Sequence, residues 1–344
     1  MPEMRRDPLT RRWTIIATER SKRPHDLKKA DDVGIAIPDF VPNCPFCPGN
    51  EAMTPPEVMA YRREDSASNG TGWWVRVVPN KFPALAPEGE LTPEAAGVCD
   101  RMNAVGAHEV IIETPRHDEN PANMPANQFR ESIWAYRDRC LQLMTNPRHK
   151  SLIVFRNHGK PAGASLEHPH TQLAALPIIV PETASLVDAF AEHQRLRGRC
   201  ALCDLIEQEQ RDNERIILEN ERYLAYAPFA SQSPYETCIA PKACHADFMM
   251  ESQESLDEFA QILQELCRRY DHAFGDPPYN YMIMTAPVNR SREIAFHWRL
   301  VMMPRLTVAA GFEMGTGVWI NVASPESAAQ ALREAVRPLQ TEKV

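Results

Sequence analysis

The sequence predicts an α+β protein built from two like halves, each a group of short strands around one main helix. Three observations carry this: two CxxC pairs, Cys44/Cys47 and Cys200/Cys203; a pair of histidines downstream of each; and the same order of strand and helix patterns after both. The register of the repeat is close, since His245 follows His117 by 128 residues and His297 follows His168 by 129. Cys200 follows Cys44 by 156, so about 28 extra residues belong to the first half, and the polar, turn-rich stretch 51–72 is their expected place.

Taken in order, residues 13–17 (WTIIA) read as a strand and the charged run 19–29 as a loop. After the first CxxC come strand patterns at 74–78 and 109–112, the latter ending in Pro115-Arg116-His117. Phe129, Ile133, Trp134, Tyr136, Leu141 and Met144 then mark a helix over 128–144, and a strand at 152–155 leads to His168-Pro169-His170-Thr171-Gln172-Leu173. The second half repeats the plan. Strands near 222–226 and 236–241 precede His245, and Leu256, Phe259, Ile262, Leu263, Leu266 and Tyr270 predict a helix over 254–274. Strands at 281–284 and 296–300 follow, the last containing His297-Trp298-Arg299. The boundary is expected near 181–199, giving domains 1–190 and 191–344.

Composition excludes several classes. With 38 Lys+Arg against 46 Asp+Glu, the net charge of −8 argues against a nucleic-acid partner. No apolar run approaches the roughly 18 residues needed to cross a bilayer, and the start lacks a secretory apolar region, so no membrane partner and a cytoplasmic location are expected. Walker A, GxGxxG and GxSxG signatures are absent. Nine cysteines, four of them in CxxC pairs, suit thiolates on metal in a reducing compartment better than a disulfide framework.

Thiolate and imidazole are the ligands Zn²⁺ prefers, and a two-residue gap lets both sulfurs reach one ion. The expected sets are Cys44, Cys47, His117 and His168 for one zinc and Cys200, Cys203, His245 and His297 for a second, with His108 competing with His117 for the third place in the first set. The alternative is buried free cysteines with incidental histidines. Alternate residues of a strand share a face, so His168, His170 and Gln172 point one way. A metal on His168 would hold His170 nearby as nucleophile or proton carrier; the competing readings are that both bind metal or that His170 only packs. In the second half the matching position is Arg299, which stays protonated and cannot attack, so one chemical centre is expected.

Cys44-Pro-Phe-Cys47-Pro-Gly, Arg76-Val-Val-Pro-Asn80-Lys-Phe-Pro-Ala-Leu85, Gly163-Ala-Ser165-Leu-Glu-His168-Pro-His170-Thr-Gln172 and Gly311-Phe-Glu313-Met-Gly-Thr-Gly317 together resemble the galactose-1-phosphate uridylyltransferase family, a branch of the histidine-triad superfamily that also includes ADP-glucose phosphorylases. The resemblance implies two fused histidine-triad-like halves with antiparallel sheet and flanking helices, a homodimer, and ping-pong transfer of a nucleoside monophosphate through a covalent nucleotidyl-histidine. It makes His170 the nucleophile and His168 a zinc ligand. Arg20 and Arg23 match its phosphate-binding arginines, Asn80, Asn157, Ser165 and Gln172 the residues around the nucleotide and its phosphates, and Glu313 a carboxylate on the hexose. Simpler readings stand beside these: a solvated charge cluster for the arginines, a turn cap for Asn80, an ordinary exposed carboxylate for Glu313.

The activity so implied is that of a UDP-glucose:hexose-1-phosphate uridylyltransferase in galactose metabolism, with UDP-glucose and hexose 1-phosphate as partners. The alternatives are an ADP-glucose phosphorylase using ADP-glucose and phosphate, a non-catalytic zinc-stabilised nucleotide-binding protein, and a hydrolase. Gln172, standing where single-unit relatives have a third histidine, disfavours the last.

Overall fold

The computed structural model describes residues 1–22, 37–290 and 294–336. Its strands and helices run, in chain order, β1 (Glu3–Arg6), β2 (Trp13–Ile16), β3 (Met59–Arg62), β4 (Trp73–Pro79), β5 (Glu94–Ala96), β6 (Cys99–Arg101), β7 (Ala107–Ile112), α1 (Ala126–Leu143), β8 (Ser151–His158) and β9 (His170–Leu176). There follow α2 (Pro181–Arg197), α3 (Ala201–Asp212), β10 (Ile216–Glu219), β11 (Tyr223–Tyr226), β12 (Thr237–Pro241), α4 (Gln253–Phe274), β13 (Tyr279–Met284), β14 (Arg299–Pro304), α5 (Gly311–Thr316), β15 (Trp319–Asn321) and α6 (Pro325–Glu334).

One sheet carries the molecule. Its ten strands lie in the order β10-β11-β12-β14-β13-β8-β9-β7-β4-β3, all neighbours antiparallel. Read outward from the centre, each half repeats one pattern: β8-β9-β7-β4-β3 on one side and β13-β14-β12-β11-β10 on the other, with α1 and α4 in matching places. The α+β fold of two fused antiparallel units is therefore as expected, and the halves meet through the β8–β13 pairing, Asn157 opposite Asn280. The position between residues 190 and 191 falls inside α2.

The extra residues of the first half are placed differently from the expectation. Stretch 51–72 holds edge strand β3, the counterpart of β10; the long insertion is 80–106, with the small β5–β6 hairpin, against the short 227–236 link between β11 and β12. Residues 51–72 look like loop because a four-residue edge strand presents only half-buried positions.

The two faces of the sheet differ. On one, Phe129, Ile133 and Tyr136 of α1 and Leu256, Phe259, Leu263 and Leu266 of α4 close over Val77, Ile111, Leu173, Tyr281 and Leu300. The α4 amphipathic spacing explains this; Ser252 caps its start by accepting from Ser255 N–H at 3.2 Å, and Gly275, at φ 70°, supplies the left-handed residue that ends it. On the other face, Leu186 and Phe190 of α2 and Leu202 and Ile206 of α3 cover Leu224, Tyr226, Cys238 and Ala240 of the second half only. The same face of the first half carries a smaller cluster, Cys44, Phe46, Cys47, Trp73, Val78, Val110 and Ile112, and it is here that the histidines gather. No helix among the described residues is long and apolar enough to cross a membrane.

Candidate active site and metal centres

In the β7–β9 pairing Ile112 lies opposite His170 and Val110 opposite Gln172, so His170 and Gln172 share the face left open by α2 and α3, while Thr171 between them points at α1. His170 Nδ1 donates to the His168 carbonyl oxygen at 2.8 Å, and the ring sits edge-on to Phe46, centroids 5.4 Å apart. Burial lowers the His170 pKa; the bond to the His168 carbonyl opposes this and the Arg156 charge adds to it. The ring is thus neutral near pH 7, with its proton on Nδ1 and Nε2 free of any hydrogen bond among the described residues.

Beneath this strand lies a buried polar network. Glu113 accepts from Thr171 at 2.6 Å, from Tyr136 and from Arg156, and Tyr136 and Tyr281 hydroxyls meet at 2.9 Å. Burial alone would raise the Glu113 pKa, but the Arg156 charge and the hydroxyl donors outweigh it and hold the carboxyl below the ordinary range.

Cys44, Cys47, His117 and His168 form a buried cluster whose donor atoms all lie within 4.8 Å of one another. His168 Nε2 donates to the Thr114 carbonyl at 2.8 Å, which turns Nδ1 toward Cys47 Sγ (3.6 Å) and His117 Nδ1 (3.3 Å). Such a carbonyl partner is what orients a metal-binding imidazole. Burial takes the His168 pKa down to about 4 and pushes the Cys44 thiol up to about 11, so neither group makes a good exposed base or nucleophile, whereas a bound cation would deprotonate the thiols outright. His108 stands apart from this group, on β7.

The second cluster is Cys200, Cys203, Cys244 and His297, again within 4.8 Å. Cys200 is the N-cap of α3, which places Cys203 in the helix's first turn. His297 Nε2 donates to the Pro241 carbonyl at 2.9 Å and Nδ1 lies 3.6 Å from both Cys200 and Cys203 sulfurs. His245 is not in this group: it is exposed, its Nδ1 2.7 Å from Glu251 Oε1, and the place expected for it is held by the preceding residue. The physical reason is local. The His245 carbonyl accepts from Trp298 N–H at 2.8 Å, which keeps the chain against the sheet, and of two successive side chains only one can face the cysteines of α3, here that of Cys244. The signal for Cys244 in the sequence is only a lone cysteine beside the expected histidine.

The remaining expected residues are more scattered. Asn80 Oδ1 accepts from Phe82 N–H at 2.9 Å, a turn cap, while its amide nitrogen sits 3.3 Å from His108 Nε2. Asn157 Oδ1 accepts from Asn280 at 2.8 Å on the same face as His170. Ser165 is exposed in the loop before the histidines. Arg20 is exposed in the short turn Thr18–Lys22, and Arg23 lies outside the described residues. Glu313 accepts from Ala310 N–H at 2.9 Å and so closes the first turn of α5. Arg299, the counterpart of His170, is 4 % exposed in the face covered by α2 and α3, and that half presents no second open centre there among the described residues.

Residues 1–179 match the family model described as galactose-1-phosphate uridyl transferase, N-terminal domain, and residues 121–344 match a domain of unknown function. An ADP-glucose phosphorylase of Arabidopsis thaliana is 34% identical over 97% of this chain and 93% of its own length. A galactose-1-phosphate uridylyltransferase of Thermotoga maritima is 30% identical over 97% of this chain and 98% of its own. The chain belongs to the galactose-1-phosphate uridylyltransferase family. The crystal structure of the Arabidopsis thaliana ADP-glucose phosphorylase with bound ADP-glucose superposes with a TM-score of 0.81 at 31% identity, covering 98% of this chain and all of that one. Membership makes the chain one of a family of nucleotidyltransferases that use nucleotide sugars and sugar phosphates, and its two Cys/His clusters are suited to metal.

Proposed function

We propose that the protein transfers a nucleoside monophosphate from a nucleoside diphosphate hexose to a phosphate-bearing acceptor through a covalent bond to His170. The observation that carries this is the His170 Nδ1–H bond to the His168 carbonyl just ahead of β9, which leaves Nε2 as the nucleophilic nitrogen. Nε2 attacks the α-phosphorus; the N–P bond forms, the bond to the bridging oxygen breaks, and its electron pair leaves with hexose 1-phosphate. A phosphate oxygen of the acceptor then attacks the same phosphorus, and the N–P pair returns to Nε2. The ring is cationic while it carries the nucleotidyl group, and the His168 carbonyl stabilises the proton it retains.

Gln172, on the same face, donates to the phosphoryl oxygens, with Ser165, Asn80, Asn157, Arg20 and Arg23 supplying further donors to the nucleotide and Glu313 an acceptor for the hexose. Cys44, Cys47, His117 and His168 hold one zinc and Cys200, Cys203, Cys244 and His297 another; zinc there supplies fixed geometry for the strands rather than a reacting group. As a uridylyltransferase the protein would move UMP from UDP-glucose to galactose 1-phosphate. The phosphorylase reading, AMP from ADP-glucose to phosphate, is favoured by the 34% identity to the Arabidopsis enzyme against 30% to the Thermotoga one. A cytoplasmic homodimer is the form proposed for either.

Intact-protein mass spectrometry after mixing with UDP-glucose or ADP-glucose, without acceptor, tests this. A UMP or AMP adduct that His170→Ala abolishes is expected and identifies the donor; no adduct from either sugar nucleotide would refute the role of His170.

A further inference from the structure

His108 belongs to neither cysteine cluster, yet it is set into the face that carries His170 and Gln172. In the β7–β9 register it pairs with Ala174, which makes it the diagonal neighbour of Gln172. Its Nδ1 lies 3.1 Å from the backbone N–H of Ala84, and its Nε2 lies 2.9 Å from Gln172 Oε1. The first of these bonds decides the second. A backbone N–H can only donate, so Nδ1 is the unprotonated nitrogen and the ring proton sits on Nε2. Of the two polar atoms beside Nε2, the Asn80 amide nitrogen at 3.3 Å is itself a donor and cannot accept, so the Nε2 proton goes to the Gln172 amide at 2.9 Å, which must present its oxygen and cannot flip. Its NH₂ group is left with no partner among the described residues, on the strand face that carries His170 two residues away.

The loop that supplies Ala84 is itself fixed to β7: Asn80 N–H donates to the His108 carbonyl at 2.8 Å, and Asn80 caps the turn at Phe82. Entry to β7 is equally tight. A Cβ on Gly106 would lie 2.2 Å from the Ala175 carbonyl oxygen, so a side chain there would force β7 and β9 apart and open the His108–Gln172 bond.

We infer that His108 is a positioning residue, which reads the backbone at Ala84 with one ring nitrogen and with the other locks the Gln172 amide so that its N–H donors face the transferring phosphoryl group. The inference rests on the nucleotidyl-His170 reading. It explains how a glutamine, whose two amide ends are nearly the same shape, presents donors rather than an acceptor to an anionic group.

Two substitutions separate the nitrogens. The amide nitrogen of glutamine in His108→Gln reaches the Nε2 position and keeps a donor for Gln172, while giving up the Ala84 bond. The Oδ1 of asparagine in His108→Asn reaches the Nδ1 position and keeps the Ala84 bond, while giving up Gln172. Single-turnover formation of the nucleotidyl adduct is followed with whichever of UDP-glucose and ADP-glucose the parent accepts, over a range of donor concentrations, with thermal melting as a check on folding. His108→Asn is expected to lose about 100-fold in maximal adduct rate with little change in half-saturating concentration, as expected when one transition-state donor is misplaced. His108→Gln should restore most of that rate, and His108→Asn added to Gln172→Ala should lose nothing beyond Gln172→Ala alone. A folded His108→Asn protein at parental rate, a His108→Gln protein no faster than His108→Asn, or additive losses in the double variant would overturn the inference. Failure of the parent itself to form an adduct would instead overturn the reading on which it rests.

Discussion

Replacing Glu113 with glutamine removes one charge from beneath the strand that carries the histidines and changes almost nothing else. Glu113 is 0 % exposed and Arg156 2 % exposed, and Glu113 is the one carboxylate within ion-pair distance of Arg156 among the described residues. Glutamine keeps an oxygen for Thr171 and Tyr136, so the perturbation is the stranded guanidinium, whose Nε already lacks a partner. Breaking a buried pair from one side costs about 3–5 kcal/mol, and no relief by hydration is at hand for a group this deep. The assay is equilibrium urea unfolding followed by tryptophan fluorescence on the metal-loaded protein, near neutral pH and again toward pH 4. A carboxyl held below its unfolded value contributes stability above that value, about 4.3, and loses it as pH falls. Glu113→Gln should therefore flatten the acid limb as well as lower the neutral plateau. Joint replacement, Glu113→Leu with Arg156→Met, should recover most of the loss, since no charge is then stranded. A single variant within about 1 kcal/mol of the parent, or a double variant no better than the single, would refute the claim that the pair is buried without water.

Two further outcomes are expected. Metal analysis by atomic absorption should find two zinc ions per chain in the parent and in His245→Ala, but about one in Cys244→Ser, because the donor group contains Cys244 and leaves His245 outside; the reverse pattern would restore the histidine. Glu236, buried beside Arg299, has its pKa pushed up to about 7 by burial, against hydrogen bonds from Gln232 and Ser233 N–H and the Arg299 charge and with help from Asp7. The folded state thus keeps a proton that the unfolded chain releases, and stability should fall as pH rises from about 4.3 to about 7, by at most about 3 kcal/mol; Glu236→Gln should remove that slope in urea titrations.

Much of this molecule is legible in its sequence. Helices α1 and α4 have an apolar stripe at helical spacing and lie within two residues of where the pattern puts them, and β4 and β7 do likewise, whereas the strand expected at 296–300 begins only at Arg299 and runs on to Pro304. The near-equal spacing of matching histidines reveals the duplication because strand, helix and strand must span fixed distances in both halves. It misleads at His245 for the same reason: a repeat predicts position to about one residue, and one residue decides which side chain faces a metal. Edge strand β3 and helices α2 and α3 escape the sequence pattern for want of contrast, one too short to show alternation and the others lying where the chain is expected only to cross between halves. The His108–Gln172 contact is out of reach altogether, since nothing near either residue announces it; it exists only because β7 and β9 pair in that register.

The central pairing of β8 with β13 has a consequence for how the chain came to be one molecule. Each half taken alone would end in a bare strand whose backbone donors and acceptors seek another chain, the condition that drives edge-to-edge aggregation. Each half is thus expected to need the other's central strand to complete its sheet. Two separately expressed pieces, cut in the residues between β9 and α2 so that both covering helices stay with the second half, should each be recovered poorly and yet assemble when made together, each serving as the missing strand for the other.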